Sequence, residues 1–263
     1  MKISFIGVGN MGAALARAVS KTAGNEIFLY DKNTELAEAL AAEISACSTT
    51  LSDIAVRSDI IFLGVKPNVI PTVCRELDGL HLNPNALIVS MAAGIEIKFI
   101  QAHLSIPQPV IRIMPNTPAS VGQGMILWCA NEKAENKIQA FLEIMQYAGV
   151  LDKIPETLFD VATAVSGCGP AFAFMFIEAL ADAAVKYGLP RDKALLYAMQ
   201  MLKGSAELAL STGKHPGALK DAVCSPGGST IAGVLALETG AFRAAVISAV
   251  ESSYKKTVEL GKK

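Results

Sequence analysis

The chain has 263 residues, 52% of them apolar and only 18% charged, with a formal net charge of −1. That suffices for one large or two modest domains around a substantial core, and the balanced charge argues against a nucleic-acid partner held through its phosphates. Five cysteines (Cys47, Cys74, Cys129, Cys168 and Cys224) form no C-x-x-C pair and three histidines lack ligand spacing, which predicts reduced thiols in a cytoplasmic protein and no metal site.

The first elements carry the most information. An apolar strand over residues 1–6 runs into Gly7-Val8-Gly9-Asn10-Met11-Gly12, and Ala13 to Val19 opens a helix. Gly7 suits a tight turn, Gly9 a close backbone approach to a pyrophosphate, and Gly12 close packing of helix on sheet. The phosphates of a dinucleotide, NADPH or NADH, would then meet unpaired N–H groups at the positive end of the helix. The second strand, Glu26 to Tyr30, is closed by Asp31, nineteen residues after Gly12, where a carboxylate can accept hydrogen bonds from an adenosine ribose. The chain begins as a strand and not as a signal peptide.

Further strands are predicted at 59–65, 86–90, 110–114 and 125–129, with helices over 34–44 and 132–147. Near-continuous apolar strands predict a mainly parallel sheet covered on both faces: a Rossmann-like, doubly wound α/β domain over residues 1–155. Three more loops fall at the carboxyl ends of its strands, where such sheets bind ligands: Gly64-Val65-Lys66-Pro67, Ala92-Ala93-Gly94 and Met114-Pro115-Asn116-Thr117-Pro118.

After about residue 155 the strands stop. Helices are predicted over 170–187, 191–211 and 229–260, the last interrupted near Thr239-Gly240, with breaks at 188–190 and 213–217 and with Asp192 or Ser229 as helix caps. The apolar stretch 161–185 is broken by Gly167, Gly169 and Pro170 and carries Glu178 and Asp182, so no membrane span is expected. Its run 171–177 is apolar nearly all round, which predicts burial against a second subunit: residues 156–263 would form an all-helical dimerisation domain. Within it, Ser225-Pro226-Gly227-Gly228-Ser229-Thr230 places two glycines and two hydroxyl residues at a helix start, a cradle for a carboxylate. Cys168 and Cys224 have no local histidine to activate them and read as packing residues or reactive bystanders.

In order along the chain, residues 5–12, Val65-Lys66-Pro67, Ala92-Ala93-Gly94, 114–118, Gly167-Cys168-Gly169-Pro170-Ala171, His215-Pro216-Gly217 and 221–230 resemble the pyrroline-5-carboxylate reductase family, and the likeness spans essentially the whole chain. The resemblance implies reduction of L-1-pyrroline-5-carboxylate, a small-molecule substrate, to L-proline by NADPH or NADH, the last step of proline synthesis. It implies an interlocked homodimer, with five dimers forming a decamer in some members. Carried over residue by residue, Gly7, Val8, Gly9, Asn10, Met11 and Gly12 would hold the pyrophosphate, with Asp31 and Lys32 at the adenosine end. Val65, Lys66 and Pro67 would run beside the cofactor, with Ala92, Ala93, Gly94 and Asn116 towards the nicotinamide. Ser225, Gly227, Gly228, Ser229 and Thr230 would bind the substrate, with the Thr230 hydroxyl reaching the ring nitrogen as the catalytic group. The chain departs from many relatives at Tyr30-Asp31-Lys32-Asn33: Asp31 would repel a 2′-phosphate, while Lys32 and Asn33 would offset it, leaving both cofactors open. A hydroxyacid dehydrogenase of related architecture would need a lysine on the first long helix of the second domain, where Lys186 lies near the helix end. A nucleotide sensor without catalysis would need only the adenosine half.

Overall fold

A computed structural model describes residues 1–261. Its eight strands are β1 (Lys2–Ile6), β2 (Glu26–Tyr30), β3 (Cys47–Ser48), β4 (Ile60–Leu63), β5 (Leu87–Ser90), β6 (Val110–Met114), β7 (Gly124–Ala130) and β8 (Gly149–Lys153). They form one sheet in the order β3-β2-β1-β4-β5-β6-β7-β8. Pairing is parallel except between β6 and β7, where Ile113 faces Trp128 in antiparallel register. The order reverses between β1 and β4, and that switch point opens the crevice at the carboxyl edge.

Side-chain alternation along the strands divides the core. Ile3, Phe5, Phe62, Val89 and Ile111 face one layer, with α1 (Asn10–Val19), α2 (Thr34–Ile44) and α6 (Ile138–Met145). Ile6, Ile61, Leu63 and Ile88 face the other, with α3 (Leu51–Arg57), α4 (Ile70–Gly79) and α5 (Ile97–Gln101). Phe5 and Phe62 stack with ring centroids 4.5 Å apart, and Trp128 packs on Phe141 at 5.9 Å.

The remaining helices are α7 (Phe159–Ser166), α8 (Gly169–Lys186), α9 (Arg191–Thr212), α10 (Pro216–Ala222), α11 (Ser229–Thr239) and α12 (Phe242–Gly261). Two compact units result: Met1–Cys168 with the segment from Ser253, and Gly169–Ser252. The division by type of secondary structure at residue 155 therefore differs from the division by packing. Phe159 is fully buried beside Leu127 and Cys129 of β7, which attaches α7 to the sheet unit.

Several local expectations are corrected. The stretch 132–147 is a 3-10 turn, Glu132–Lys137, followed by α6. The break expected at 213–217 contains the start of α10, because Pro216 sits at its first position, where a missing N–H is harmless. Neither Asp192 nor Ser229 caps a helix; the cap positions are Pro190 and Gly228, without side-chain bonds. α11 and α12 are separated at Gly240 and Ala241, the latter at φ +56°. The stretch Glu156–Lys186 reaches the length of a membrane span and, in one 18-residue window, a mean hydropathy of 1.5, but by length and composition only, and it is divided into a 3-10 turn, α7 and α8 with a turn at Gly167 and Cys168.

In the helical unit the buried side chains are small, Ala181, Ala194 and Ala198, while Phe174, Met175, Tyr187, Leu210 and Ile247 are more than half exposed. An apolar groove of about 500 Å³ lies among Phe172, Met175, Phe176, Leu180, Leu237 and Phe242. Large apolar residues displayed in this density are the mark of a surface that another chain covers.

Candidate functional site

The glycine turn follows from steric demand. Gly7 adopts φ +91°, and a Cβ there would stand 2.8 Å from the Gly64 carbonyl carbon. A Cβ on Gly12 would run into the Gly7 carbonyl oxygen, so α1 can approach the strand exit only with glycine at this position. Gly9 differs: nothing lies within 4 Å of its missing Cβ, and it is exposed at the start of α1. Gly9 is also the N-cap of α1 and supplies no side-chain bond, so the first N–H groups of the helix face outward without a cap.

A cavity of about 350 Å³ brings together Gly7, Gly9, Asp31, Lys32, Val65 and Lys66, with Val69 and Val73 as apolar wall. Val8, Gly9 and Asn10 line a neighbouring cleft with Arg17 and Glu43, whose guanidinium and carboxylate are paired at 2.6 and 2.7 Å. That pairing raises Arg17 above the usual arginine range. Met11 and Gly12 lie inward in the first turn of α1, and Pro67 opens a 3-10 turn before α4. Uncapped helix donors, an open glycine and a switch-point cavity fit a dinucleotide pyrophosphate.

Ala92, Ala93 and Gly94 follow β5 but do not line that cavity. Ala92 is buried, and Gly94, at φ +74°, borders a separate polar cavity of about 180 Å³ with Arg112, Glu156 and Asp160. Asn116 also lies outside. Its Nδ2 donates to the Ser166 carbonyl at 2.9 Å and its Oδ1 accepts from Met125 N–H at 3.0 Å, so its side chain ties the loop after β6 to β7 and to the end of α7.

The Arg112 cluster was not anticipated from the sequence. Its guanidinium donates to Glu156 at 3.2 Å, stands 3.7 Å from Asp160 and lies over the Phe159 ring at 4.6 Å; Glu156 also accepts from Ile97 N–H at 2.8 Å. The available signal was one arginine in an otherwise apolar strand, which must find a partner when buried.

In the helical unit, Gly227 takes φ +70°, Gly228 is the uncapped N-cap of α11, and its N–H donates to the Ser225 carbonyl at 3.0 Å. A Cβ on Gly228 would stand 2.5 Å from Ser225 Oγ. Ser229 and Thr230 begin α11, and both are exposed. The turn thus gathers Ser225, Gly227, Gly228, Ser229 and Thr230 around outward-facing N–H groups, an arrangement suited to a small anion. Lys186 is the last residue of α8, its ammonium 5.7 Å from the Tyr187 ring.

Residues 156–260 match a family model described as pyrroline-5-carboxylate reductase dimerisation, and residues 2–94 one described as NADP oxidoreductase, coenzyme F420-dependent. The chain is 41% identical to the pyrroline-5-carboxylate reductase of Escherichia coli K12, over 99% of this chain and 98% of that protein. It resembles the crystal structure of a Streptococcus pyogenes 1-pyrroline-5-carboxylate reductase with a TM-score of 0.89 at 33% identity, covering 98% of each chain. It also resembles a Plasmodium falciparum pyrroline carboxylate reductase crystallised with NADP bound, with a TM-score of 0.87 at 31% identity, covering 99% of this chain and 98% of that one.

Proposed function

Because the chain belongs to the pyrroline-5-carboxylate reductase family, we propose that it reduces L-1-pyrroline-5-carboxylate to L-proline with NAD(P)H, the last step of proline biosynthesis. The observation that carries the dinucleotide half is the uncapped start of α1 at an open glycine, beside the switch-point cavity. When bound, the reduced nicotinamide supplies the hydride that adds to the imine carbon, while a proton is taken up at the ring nitrogen.

The chain's own residues bind and orient. In this reading Gly7 to Gly12 hold the pyrophosphate, with Asn10 and Met11 contributing backbone N–H groups. Asp31 and Lys32 meet the adenosine end, and Val65, Lys66 and Pro67 flank the cofactor. Ala92, Ala93 and Gly94 form the small-residue wall towards the nicotinamide, and Asn116 fixes the loop after β6 through its two internal hydrogen bonds. The α11 start receives the substrate carboxylate on the N–H groups of Ser229 and Thr230, while Gly228, whose N–H is held by the Ser225 carbonyl, shapes the turn together with Ser225 and Gly227. The Thr230 hydroxyl hydrogen-bonds the ring nitrogen. A hydroxyl is too weak an acid to protonate an imine at neutral pH, so Thr230 orients, and solvent or a preformed iminium supplies the proton.

Residues 1–155 serve as the dinucleotide-binding domain and 156–263 as the substrate-binding and dimerisation domain. The enzyme is a homodimer through its helical unit, and the apolar groove of α8 and α12 supports this. Assembly of five dimers into a decamer is the further expectation; light scattering at the mass of two chains would refute it. The reading takes the protein to be cytoplasmic, which its five unpaired cysteines support.

The test follows loss of reduced-nicotinamide absorbance on addition of pyrroline-5-carboxylate. Turnover confirms the activity, and no oxidation of either cofactor refutes it. Thr230→Val should lower kcat more than cofactor affinity; unchanged turnover would remove Thr230 from its role.

A further inference from the structure

Given the reductase reading above, on which this rests, we propose that the enzyme selects NADH over NADPH and that the Asp31 carboxylate sets the choice. The sequence left Asp31 opposed by Lys32 and Asn33. The geometry weighs them.

Asp31 follows β2 and lines the switch-point cavity. Its Oδ2 accepts from Val8 N–H in the middle of the glycine turn at 2.9 Å, and its Oδ1 accepts from Asn33 N–H at 2.9 Å. Two backbone donors therefore converge on this carboxylate and hold it between the glycine turn and the loop after β2. Val8 is buried, so rotating Asp31 away would strand its N–H without a partner. These N–H groups could otherwise receive a foreign anion, but the chain's own anion already fills their position. The remaining lone pairs suit a ribose diol, which donates, and not a phosphomonoester of charge about −1.5 to −2, which can only accept.

The compensating groups are committed or balanced. Asn33 gives its N–H to Asp31, and its Oδ1 caps α2 by accepting from Glu35 N–H at 3.2 Å. Lys32 and Lys66 line the cavity, but so does Glu76, so two cations face two carboxylates. Among the described residues no arginine lines it, and Arg17, on the other side of the turn, is bound by Glu43. Planar bidentate recognition of a phosphate is thus missing from the cavity lining, and a fixed negative charge stands in its place.

The experiment is calorimetric titration of the intact enzyme with NADH, NADPH, 5′-ADP and 2′,5′-ADP at low ionic strength, alongside kcat/KM for both reduced cofactors. The expected Kd for NADPH is at least about 10-fold weaker than for NADH, with the same ordering for the two fragments. Asp31→Asn keeps an acceptor for Val8 N–H and removes the charge, so it should fold normally and cut this discrimination about 10-fold. Asp31→Ser should tighten NADPH and weaken NADH. Equal or tighter binding of NADPH by the parent enzyme overturns the proposal. So does an unchanged ratio in folded Asp31→Asn. Binding of none of the four probes overturns instead the dinucleotide reading itself.

Discussion

Replacing Glu156 tests how far the buried cation on β6 depends on its partners. The Arg112 side chain is 5% exposed, with Glu156 at 3.2 Å and Asp160 at 3.7 Å. Removing one member of a buried ion pair costs about 3–5 kcal/mol when the remaining charge has no other compensation. Here Asp160 remains, and Glu156 is itself 30% exposed, so solvent screens part of the interaction. The charge contribution to Glu156→Ala is accordingly about 2 kcal/mol. That substitution also strands Ile97 N–H, which donates to the same oxygen, adding about 1 kcal/mol. Glu156→Gln keeps an oxygen for both donors and should lose only about 1 kcal/mol. Arg112→Met retains apolar contact with Phe159 and should lose about 2 kcal/mol. Because the two side chains bond each other, Arg112→Met with Glu156→Gln should be less destabilised than the sum of the singles by about 1 kcal/mol. Urea unfolding followed by circular dichroism, at one protein concentration because association is linked to stability, measures all four variants. A Glu156→Ala protein within about 0.5 kcal/mol of the parent, or strict additivity in the cycle, would refute this account.

The two helix-start glycines should separate stability from binding. Gly12→Ala drives a Cβ into the Gly7 carbonyl and should lose about 2 kcal/mol or more, whereas Gly9→Ala, with open space around the new methyl, should unfold like the parent yet bind NADH about 10-fold more weakly; matching calorimetric and unfolding data for the two would contradict the turn geometry. Burial pushes the thiols of Cys74 and Cys129 up to about 12, so in the native protein a thiol reagent should label exposed Cys47 and leave these two unmodified, as peptide mass spectrometry will show. The Ser105 hydroxyl and N–H, bonded to Asp78 at 2.6 and 2.9 Å, hold that carboxyl below its usual range. A depressed folded-state pKa stabilises above the unfolded value of about 3.9 and ceases to do so as pH falls through the folded value. Ser105→Ala should therefore be less stable than the parent at neutral pH, with the gap closing in acid; a gap independent of pH would contradict the assignment.

Much of the dinucleotide half was legible because steric and chemical demands left few residue choices. Gly7, Gly9 and Gly12 follow an apolar strand, and Asp31 follows the next, at a spacing that only a βαβ unit explains. The apolar strands announced themselves by composition, but their direction did not: nothing in 124–130 shows that β7 runs antiparallel to β6. β8 escaped notice because this edge strand, Gly149–Lys153, has no fully buried residue and so carries no burial pattern. Asn116 was visible as a polar residue between prolines, yet its bonding to Ser166, fifty positions away, depends on tertiary contact. The Arg112 cluster draws on residues 97, 112, 156 and 160, too scattered for any local motif.

The chain contains a single tryptophan, and it lies on β7 against Phe141, 5% exposed. Indole emission is therefore a private signal of the sheet unit, silent about the helical unit Gly169–Ser252. Heating while recording both emission and far-ultraviolet ellipticity would show directly whether the two units melt together: overlapping curves mean a single cooperative event, and displaced curves mean that one unit outlives the other.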